Sequence, residues 1–393
     1  MKRWRSKILI AAFTGAFVFP FALHAAARPF VYEAWLPFWS KQGGMLAVAL
    51  HLEKFKEISP FSYEVNADGS LKDDLHIDSG LWPGWLSAAR DGGVKIIPTI
   101  ALLDGTQSYN LLSNTKLRRK HENNIAALVK SEKFDGIDID YEDKPAKEAP
   151  YYDLLLEGLA LRMHPLGKTL TCTIEARTPP IDEYAVVPNT IRYANDYGVI
   201  NKYCDEVRIM AYDQGAIDLT LDAAKGNGAF YMPVADSAWV KKVLALTVRS
   251  INRKKLVLGI PTYGYEYEVD WSGGVAAYQR IGSINYGNAL ALAATLGISP
   301  ARNSAGELSF AFATSTHLAV SPGLISAMNA TSSPPLVMLA VAGTSTAATR
   351  YVDVSDATAI GQKIALAKQY GLKGVAFFKM DGATDPGIWA EMK

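Results

Sequence analysis

The stretch "KFDGIDIDYED" (133–143) holds five carboxylates in nine residues, set among isoleucines. Side chains alternate faces along a β-strand, so Asp138, Asp140 and Glu142 share one face, while Ile137, Ile139 and Tyr141 share the other. Isoleucines on the outer face are expected to meet covering helices, which turns the three acids inward. Carboxylates stacked in a narrow interior repel one another, and at least one is expected to hold a proton near neutral pH. A carboxyl group with its pKa raised toward the working pH is what a general acid requires. The last of the three, Glu142, falls at the C-terminal end of the strand. Asp135 has the opposite parity, precedes Gly136 and is expected to serve structure where the strand begins. A solvated acidic strand end or a metal site is the plainer reading, and strict alternation with core-like flanks weighs against it. The six histidines form no ligand-spaced cluster with each other or with cysteine, so neither a metal nor a cofactor is expected.

What must position these acids is legible as a repeating pattern. Strand-like apolar runs begin near Phe30, Ile58, Val94, Phe134, Thr169, Glu206, Lys255 and Gly374. Several are nearly continuous, as parallel strands covered on both faces are. Helical patterns lie between most of them, at 116–131, "YYDLLLEGLALRMHP", "DSAWVKKVLALTVRSIN" and "DATAIGQKIALAKQYG". Eight strand–helix units predict an α/β fold, a closed (β/α)8 TIM barrel, whose chemistry sits at the C-terminal ends of the strands. The spacing fails only between the seventh and eighth strands. The excess there is expected to be a small α+β insertion over 265–350, with a helix at "NYGNALALAATLG", strands at "GELSFAFAT", "PPLVMLAVAG" and "RYVDV", and a turn at "AGTSTAAT".

Composition narrows the partners. The chain has 393 residues, is 49% hydrophobic and carries a formal net charge of +1. Such a balance argues against nucleic-acid binding, which needs a basic stripe to displace counterions. "MKRWRSK", then "ILIAAFTGAFVFPFAL", then "HAAA" reads as a signal peptide over 1–27, cleaved after Ala27 to leave the catalytic barrel at 28–393. A secreted, periplasmic or cell-envelope location follows, with no membrane attachment after cleavage and a monomeric state expected. Cys172 and Cys204 both sit in strand-like apolar surroundings and are expected to be buried free thiols.

"DGIDIDYE" resembles the active-site signature of glycoside hydrolase family 18, the chitinase-like enzymes. "MAYD" (210–213), "KLVLGIPTYGY" and "FSYEVNADGSL" resemble that family's sixth, seventh and second strands, and the resemblance spans about 30–381. It implies a retaining, substrate-assisted glycosidase, an exception to the two-carboxylate scheme. Glu142 would protonate the glycosidic oxygen, and the substrate's own 2-acetamido oxygen would attack the anomeric carbon. Asp140 would orient the acetamide N–H, Asp138 would support Asp140 from beneath, and Tyr212 would donate to the acetamide oxygen. Met210, Asp213, Tyr263, Trp35 and Phe378 are the expected substrate-binding residues. Phe378 is a departure, because the family usually has tryptophan on strand eight. Trp39, Trp82, Trp85 and Trp271 are further candidates for the cleft. Glu175 and Arg177 share a parity that permits an internal ion pair. The expected partner is an N-acetylglucosamine-containing polysaccharide or oligosaccharide: chitin fragments, peptidoglycan or the core of N-linked glycans. The alternatives are a chitinase-like lectin that has lost its acid, which the glutamate at position 142 disfavours, and an unrelated barrel using a metal.

Overall fold

A computed structural model describes residues 29–40, 42–272, 275–314 and 348–393. The expected signal peptide and the strand at "PPLVMLAVAG" lie outside those residues, as do the side chain of Trp271 and all of the turn expected at "AGTSTAAT" but Ala348 and Thr349, which begin a strand instead. Eight parallel strands form the centre: β1 (Val31–Pro37), β2 (Glu57–Val65), β3 (Thr99–Leu102), β4 (Gly136–Tyr141), β5 (Thr169–Glu175), β6 (Glu206–Met210), β7 (Leu256–Pro261) and β8 (Gly374–Phe378). Each pairs with its neighbours in chain order, and β1 pairs with both β2 and β8, so the sheet closes into the expected barrel. Proline cannot donate to a ladder. Pro98 accordingly separates β3 from a short preceding strand, Lys95–Ile96, that pairs with β2.

The alternation on β4 decides what each side of the barrel wall contains. Ile137, Ile139 and Tyr141 are fully buried in the layer between sheet and helices. There they belong to one core with Ile125 and Val129 of helix Thr115–Ser131 and Leu155, Leu156 and Leu159 of helix Ala149–Met163. The first of these helices starts where Asn114 accepts hydrogen bonds from the N–H groups of Lys116 and Leu117, satisfying donors that a helix start leaves open. Asp135 accepts from the Ile96 N–H at 2.9 Å, the structural role expected of it.

Cys172 and Cys204 are disulfide-bonded, which corrects the expectation of free thiols. Cys172 faces outward on β5 and Cys204 immediately follows helix Tyr197–Tyr203 on the way into β6. Pairing of β5 with β6 brings their Cα atoms to 6.1 Å despite 32 residues of separation.

The other side of the wall is polar at its base. Arg208 on β6 is 1% exposed and contacts the carboxylates of Glu33, Glu57, Glu206 and Asp138. Lys373 joins Glu33 and Glu206. Burial, then the neighbouring Glu33, push the Glu57 carboxyl up to about 7, against the pull of Arg208 and Lys373. The carboxylates of Glu33, Glu57 and Glu206 approach one another closely enough to hold a metal ion, but the Arg208 guanidinium already serves as their counter-ion.

After β7 the chain builds a second, antiparallel sheet. Its strands are Val275–Asn285, Tyr263–Ser272, Ala348–Val354, Leu308–Thr314 and Ala301–Arg302, in that spatial order. Helix Tyr286–Thr295 packs Ala289 and Ala293 against Phe310, Phe312, Val352 and Val354. Tyr263, Tyr265, Tyr267 and Val269 alternate onto the face that joins the barrel's own core. Glu307 fixes this subdomain to the barrel by accepting from the N–H groups of Val234 and Ala235, each at 2.9 Å.

Candidate active site

A cleft of about 850 Å³ opens at the C-terminal ends of the strands. Asp140, Glu142, Met210, Tyr212, Asp213, Trp35, Trp39 and Phe378, all candidates from sequence, line it. Tyr263 does not. Its hydroxyl donates to Asp213 Oδ1 at 2.6 Å, and Tyr265 donates to the same oxygen at 2.8 Å. Tyr263 thus orients Asp213, a residue with φ of +57°, rather than facing the cleft itself. Trp82 and Trp85 pack against each other on helix Trp82–Asp91, away from the cleft, because both belong to the helical layer.

Asp138 lies below the cleft floor and is fully buried. Its Oδ2 accepts from Trp35 Nε1 at 3.1 Å, Thr99 Oγ1 at 2.8 Å and Arg208 Nη1 at 3.2 Å, and its Oδ1 accepts from Thr173 Oγ1 at 2.8 Å. Register brings these groups together, since Thr99 pairs with Asp138 and Thr173 with Arg208. With its acceptor capacity so engaged, Asp138 makes no hydrogen bond to Asp140 here; it anchors Trp35 beneath the site instead.

Asp140, one step up the same face, is in a different condition. It is 4% exposed and its Oδ1 has no partner. Burial, then the charges of Glu142 and Asp138, push its carboxyl well above the ordinary range. Glu142 is partly buried, and burial, followed by the charge of Glu175, raises it to about 7, while Lys144 pulls the other way. Two neighbouring carboxyls that resist ionisation together can share a proton between them at neutral pH.

Tyr212 stacks on Phe378, with ring centres 5.3 Å apart and planes 11° from parallel. Phe378 also meets Trp35 edge-on at 5.8 Å. The three rings make an aromatic floor. Gly259 on β7 makes the Tyr212 position possible, because a Cβ there would come within 2.9 Å of the Tyr212 ring. Burial, then Asp140 and Glu142, push the Tyr212 hydroxyl well up, so it remains a donor at neutral pH.

Glu175 lines the cleft, but the ion pair with Arg177 suggested by their parity does not form. Glu175 faces Lys144 at 3.4 Å and accepts from Asn195. The Arg177 guanidinium lies between the rings of Tyr193 and Tyr197, at 3.9 and 4.1 Å from their centres, and donates to the Asn195 carbonyl. β5 ends at Glu175, so Arg177 lies beyond it and strand parity no longer governs it.

Arg208, Lys144 and Trp239 are among the residues that escaped the sequence reading. Arg208 had a signal: it shares parity with Met210 and Tyr212 in "EVRIMAYD", and an arginine between a valine and an isoleucine on a core strand needs a buried counter-ion. Lys144, whose ammonium is wholly buried and donates to the Tyr141 carbonyl, follows the motif too closely to be read from alternation. Trp239, on helix Ser237–Thr247, lines the cleft from a distant part of the chain and had no signal.

Comparison with known proteins bears on the family and the fold. The family model "Glycosyl hydrolases family 18" matches residues 86–383. An uncharacterized glycosylase of Bacillus subtilis, YvbX, is 25% identical over 170 residues, covering 42% of this chain and 44% of that protein. The chain spans about half the length of the curated relatives it matches. Among solved structures, the spore cortex-lytic enzyme SleL of Bacillus cereus superposes with a TM-score of 0.68 at 19% identity, covering 93% of this chain and 74% of that one. A Cycas revoluta chitinase, in complex with (GlcNAc)3, gives 0.67 at 16% identity over 92% of this chain and 98% of its own. At these identities the solved structures speak for the fold.

Proposed function

The chain belongs to glycosyl hydrolase family 18, and from its cleft we propose a glycosidase that cleaves β-1,4 bonds of N-acetylglucosamine-containing glycans with retention, assisted by the substrate. The observation that carries this reading is the unpartnered, buried Asp140 Oδ1 beside Glu142. A buried acceptor without a donor is costly, and a sugar's acetamide N–H is a donor of matching kind.

Glu142, whose carboxyl its surroundings raise to about 7 so that it keeps a proton up to the neutral range, gives that proton to the glycosidic oxygen as the bond to the anomeric carbon breaks. The acetamide oxygen forms the new bond to that carbon, and the resulting oxazolinium ion carries the positive charge. Asp140 accepts the acetamide N–H and balances that charge, and Tyr212 donates to the acetamide oxygen to hold it in line. The Glu142 carboxylate then takes a proton from water, which opens the ring and restores the starting configuration. Holding the internal nucleophile in place removes much of the entropy cost of a bimolecular attack. Phe378 and Trp35 supply the apolar floor on which the sugar ring lies. No step calls on a metal or cofactor.

We also infer export. The charged, apolar and small-residue succession over 1–27 and the Cys172–Cys204 bond both support an oxidising compartment outside the cytoplasm. Among the described residues no helix is long and apolar enough to cross a membrane.

The test is product release from N-acetylglucosamine oligomers and from the equally long glucose oligomers, with anomers followed by NMR. Retention on the first and no cleavage of the second is expected, with Glu142→Gln inactive on both. Cleavage of the glucose series, or an inverted first product, would rule out the acetamide as nucleophile.

A further inference from the structure

The charge of the cleft carries information about which glycan it admits. Among the described residues lining it, acidic side chains recur, and no lysine, arginine or histidine faces it. Beyond Asp140 and Glu142 these are Glu64, Asp104, Asp143, Glu175, Glu183 and Asp213, which follow the rim from β2 round to β6. Neutral donors hold three of them. Asp104 accepts from the N–H groups of Thr106 and Gln107, Glu183 from the N–H and hydroxyl of Thr178, and Asp213 from two tyrosine hydroxyls. Glu64 meets Lys72 at 3.3 Å on the surface, and Glu175 meets Lys144 at 3.4 Å. Lys379, 6.0 Å from the ring centre of Trp39, is paired with Asp381 at 2.7 Å. The acids of the rim therefore outnumber the cations within reach. Concave, low-dielectric walls focus the field of such a rim into the cleft.

A second, independent feature marks the same cleft as a place where a ligand sits. Trp239 is 2% exposed, lines the cleft, and its indole N–H has no partner. A buried N–H is ordinarily satisfied, and an uncharged sugar oxygen would satisfy this one. The cleft thus offers a neutral donor and aromatic surface to the sugar, and leaves discrimination to charge.

We propose that this cleft favours β-1,4 glucosaminoglycans carrying free amino groups, the partly de-N-acetylated form of the polymer, and disfavours glycans bearing carboxylates, such as those with lactyl ethers on alternate sugars. The inference rests on the glycosidase reading above. The sugar at the cleaved bond keeps its acetamide, while its neighbours along the rim carry the ammonium groups. An ammonium there gains from the rim acids, and a carboxylate is repelled by them. Glu64 and Glu183 act as specificity determinants, as does Asp104.

The experiment uses the full chain and three glycans of equal length: fully N-acetylated, partly de-N-acetylated, and the alternating muramic-acid glycan freed of peptide. The ratio kcat/KM for the amino glycan over the carboxylate glycan is expected to exceed about tenfold at about 20 mM salt. It should shrink several-fold at about 300 mM, where screening acts over a few ångströms. The triple variant Glu64→Gln, Asp104→Asn, Glu183→Gln keeps an acceptor oxygen at each position. It is expected to lose most of that ratio, and what remains should no longer respond to salt. A carboxylate glycan cleaved as fast as the amino glycan, with no effect of salt, would overturn the proposal. Absence of cleavage of all three would instead strike the glycosidase reading. Charge selection is then decided by calorimetric affinities of the Glu142→Gln protein for the same glycans: equal affinities refute it, and tighter binding of the amino glycan supports it.

Discussion

Replacing Glu142 by glutamine should stabilise the folded protein, and only at pH values where this carboxyl is ionised in the unfolded chain. Burial and the nearby Glu175 carboxylate raise the Glu142 carboxyl from 4.5 to about 7. At about 1.36 kcal/mol per pH unit, holding the ionised group in the folded cleft costs about 3 kcal/mol. The sign follows from proton counting. Below pH 4.5 the group is protonated in both folded and unfolded chains and contributes nothing. Between 4.5 and 7 the unfolded chain releases its proton first, so stability falls as pH rises. Above 7 both states are ionised and the full cost is present. Glutamine removes the cost, and relief of the buried Asp140 carboxyl, which Glu142 pushes up, acts in the same direction. Equilibrium urea denaturation of wild type and Glu142→Gln at pH 4 and pH 8 measures it. The variant should match wild type at pH 4 and exceed it by about 3 kcal/mol at pH 8. An equal difference at the two pH values, or a variant less stable at pH 8, would refute the account of how the cleft raises Glu142.

Other consequences are open to measurement. The alkaline limb of kcat/KM should turn over near pH 7 as Glu142 loses its proton, and Glu175→Gln should move it to lower pH; an unmoved limb would remove Glu175 from the tuning of the acid. Arg208→Met leaves Glu33, Glu57, Glu206 and Asp138 with Lys373 as their remaining cationic partner. The loss should be about 3–5 kcal/mol, read as failure to accumulate folded protein or a steep drop in urea midpoint. Replacing both Cys172 and Cys204 by serine opens a loop of 32 residues' separation, worth about 3–4 kcal/mol by chain entropy. Activity at room temperature should persist, because Cys172 faces away from the cleft. Phe378→Ala removes the ring stacked on Tyr212 and should raise KM roughly tenfold through lost apolar contact, measured with a defined oligosaccharide.

By itself the sequence determined the wall of the barrel and its polarity. Strict alternation over 137–142 sends isoleucine one way and acid the other, because a strand has only two faces. Regular spacing of apolar runs yields eight strand–helix units, and the one irregular interval marks the second sheet. Asp140 and Glu142 were legible for the same reason, and Tyr212 through its place in "MAYD". Tertiary structure alone decided what each acid has beside it. Asp138 and Asp140 are indistinguishable by type and spacing, yet one is saturated by Trp35, Thr99, Thr173 and Arg208, while the other keeps a bare oxygen. Those partners come from β1, β3, β5 and β6, and their meeting depends on strand register and barrel closure, which act over long separations and leave no local trace. Trp239 in the cleft, the Cys172–Cys204 bond, the Tyr263–Asp213 contact and the seat of Arg177 between two tyrosine rings are of the same kind. A strand's period fixes which way a side chain points, and closure of the barrel fixes what it meets.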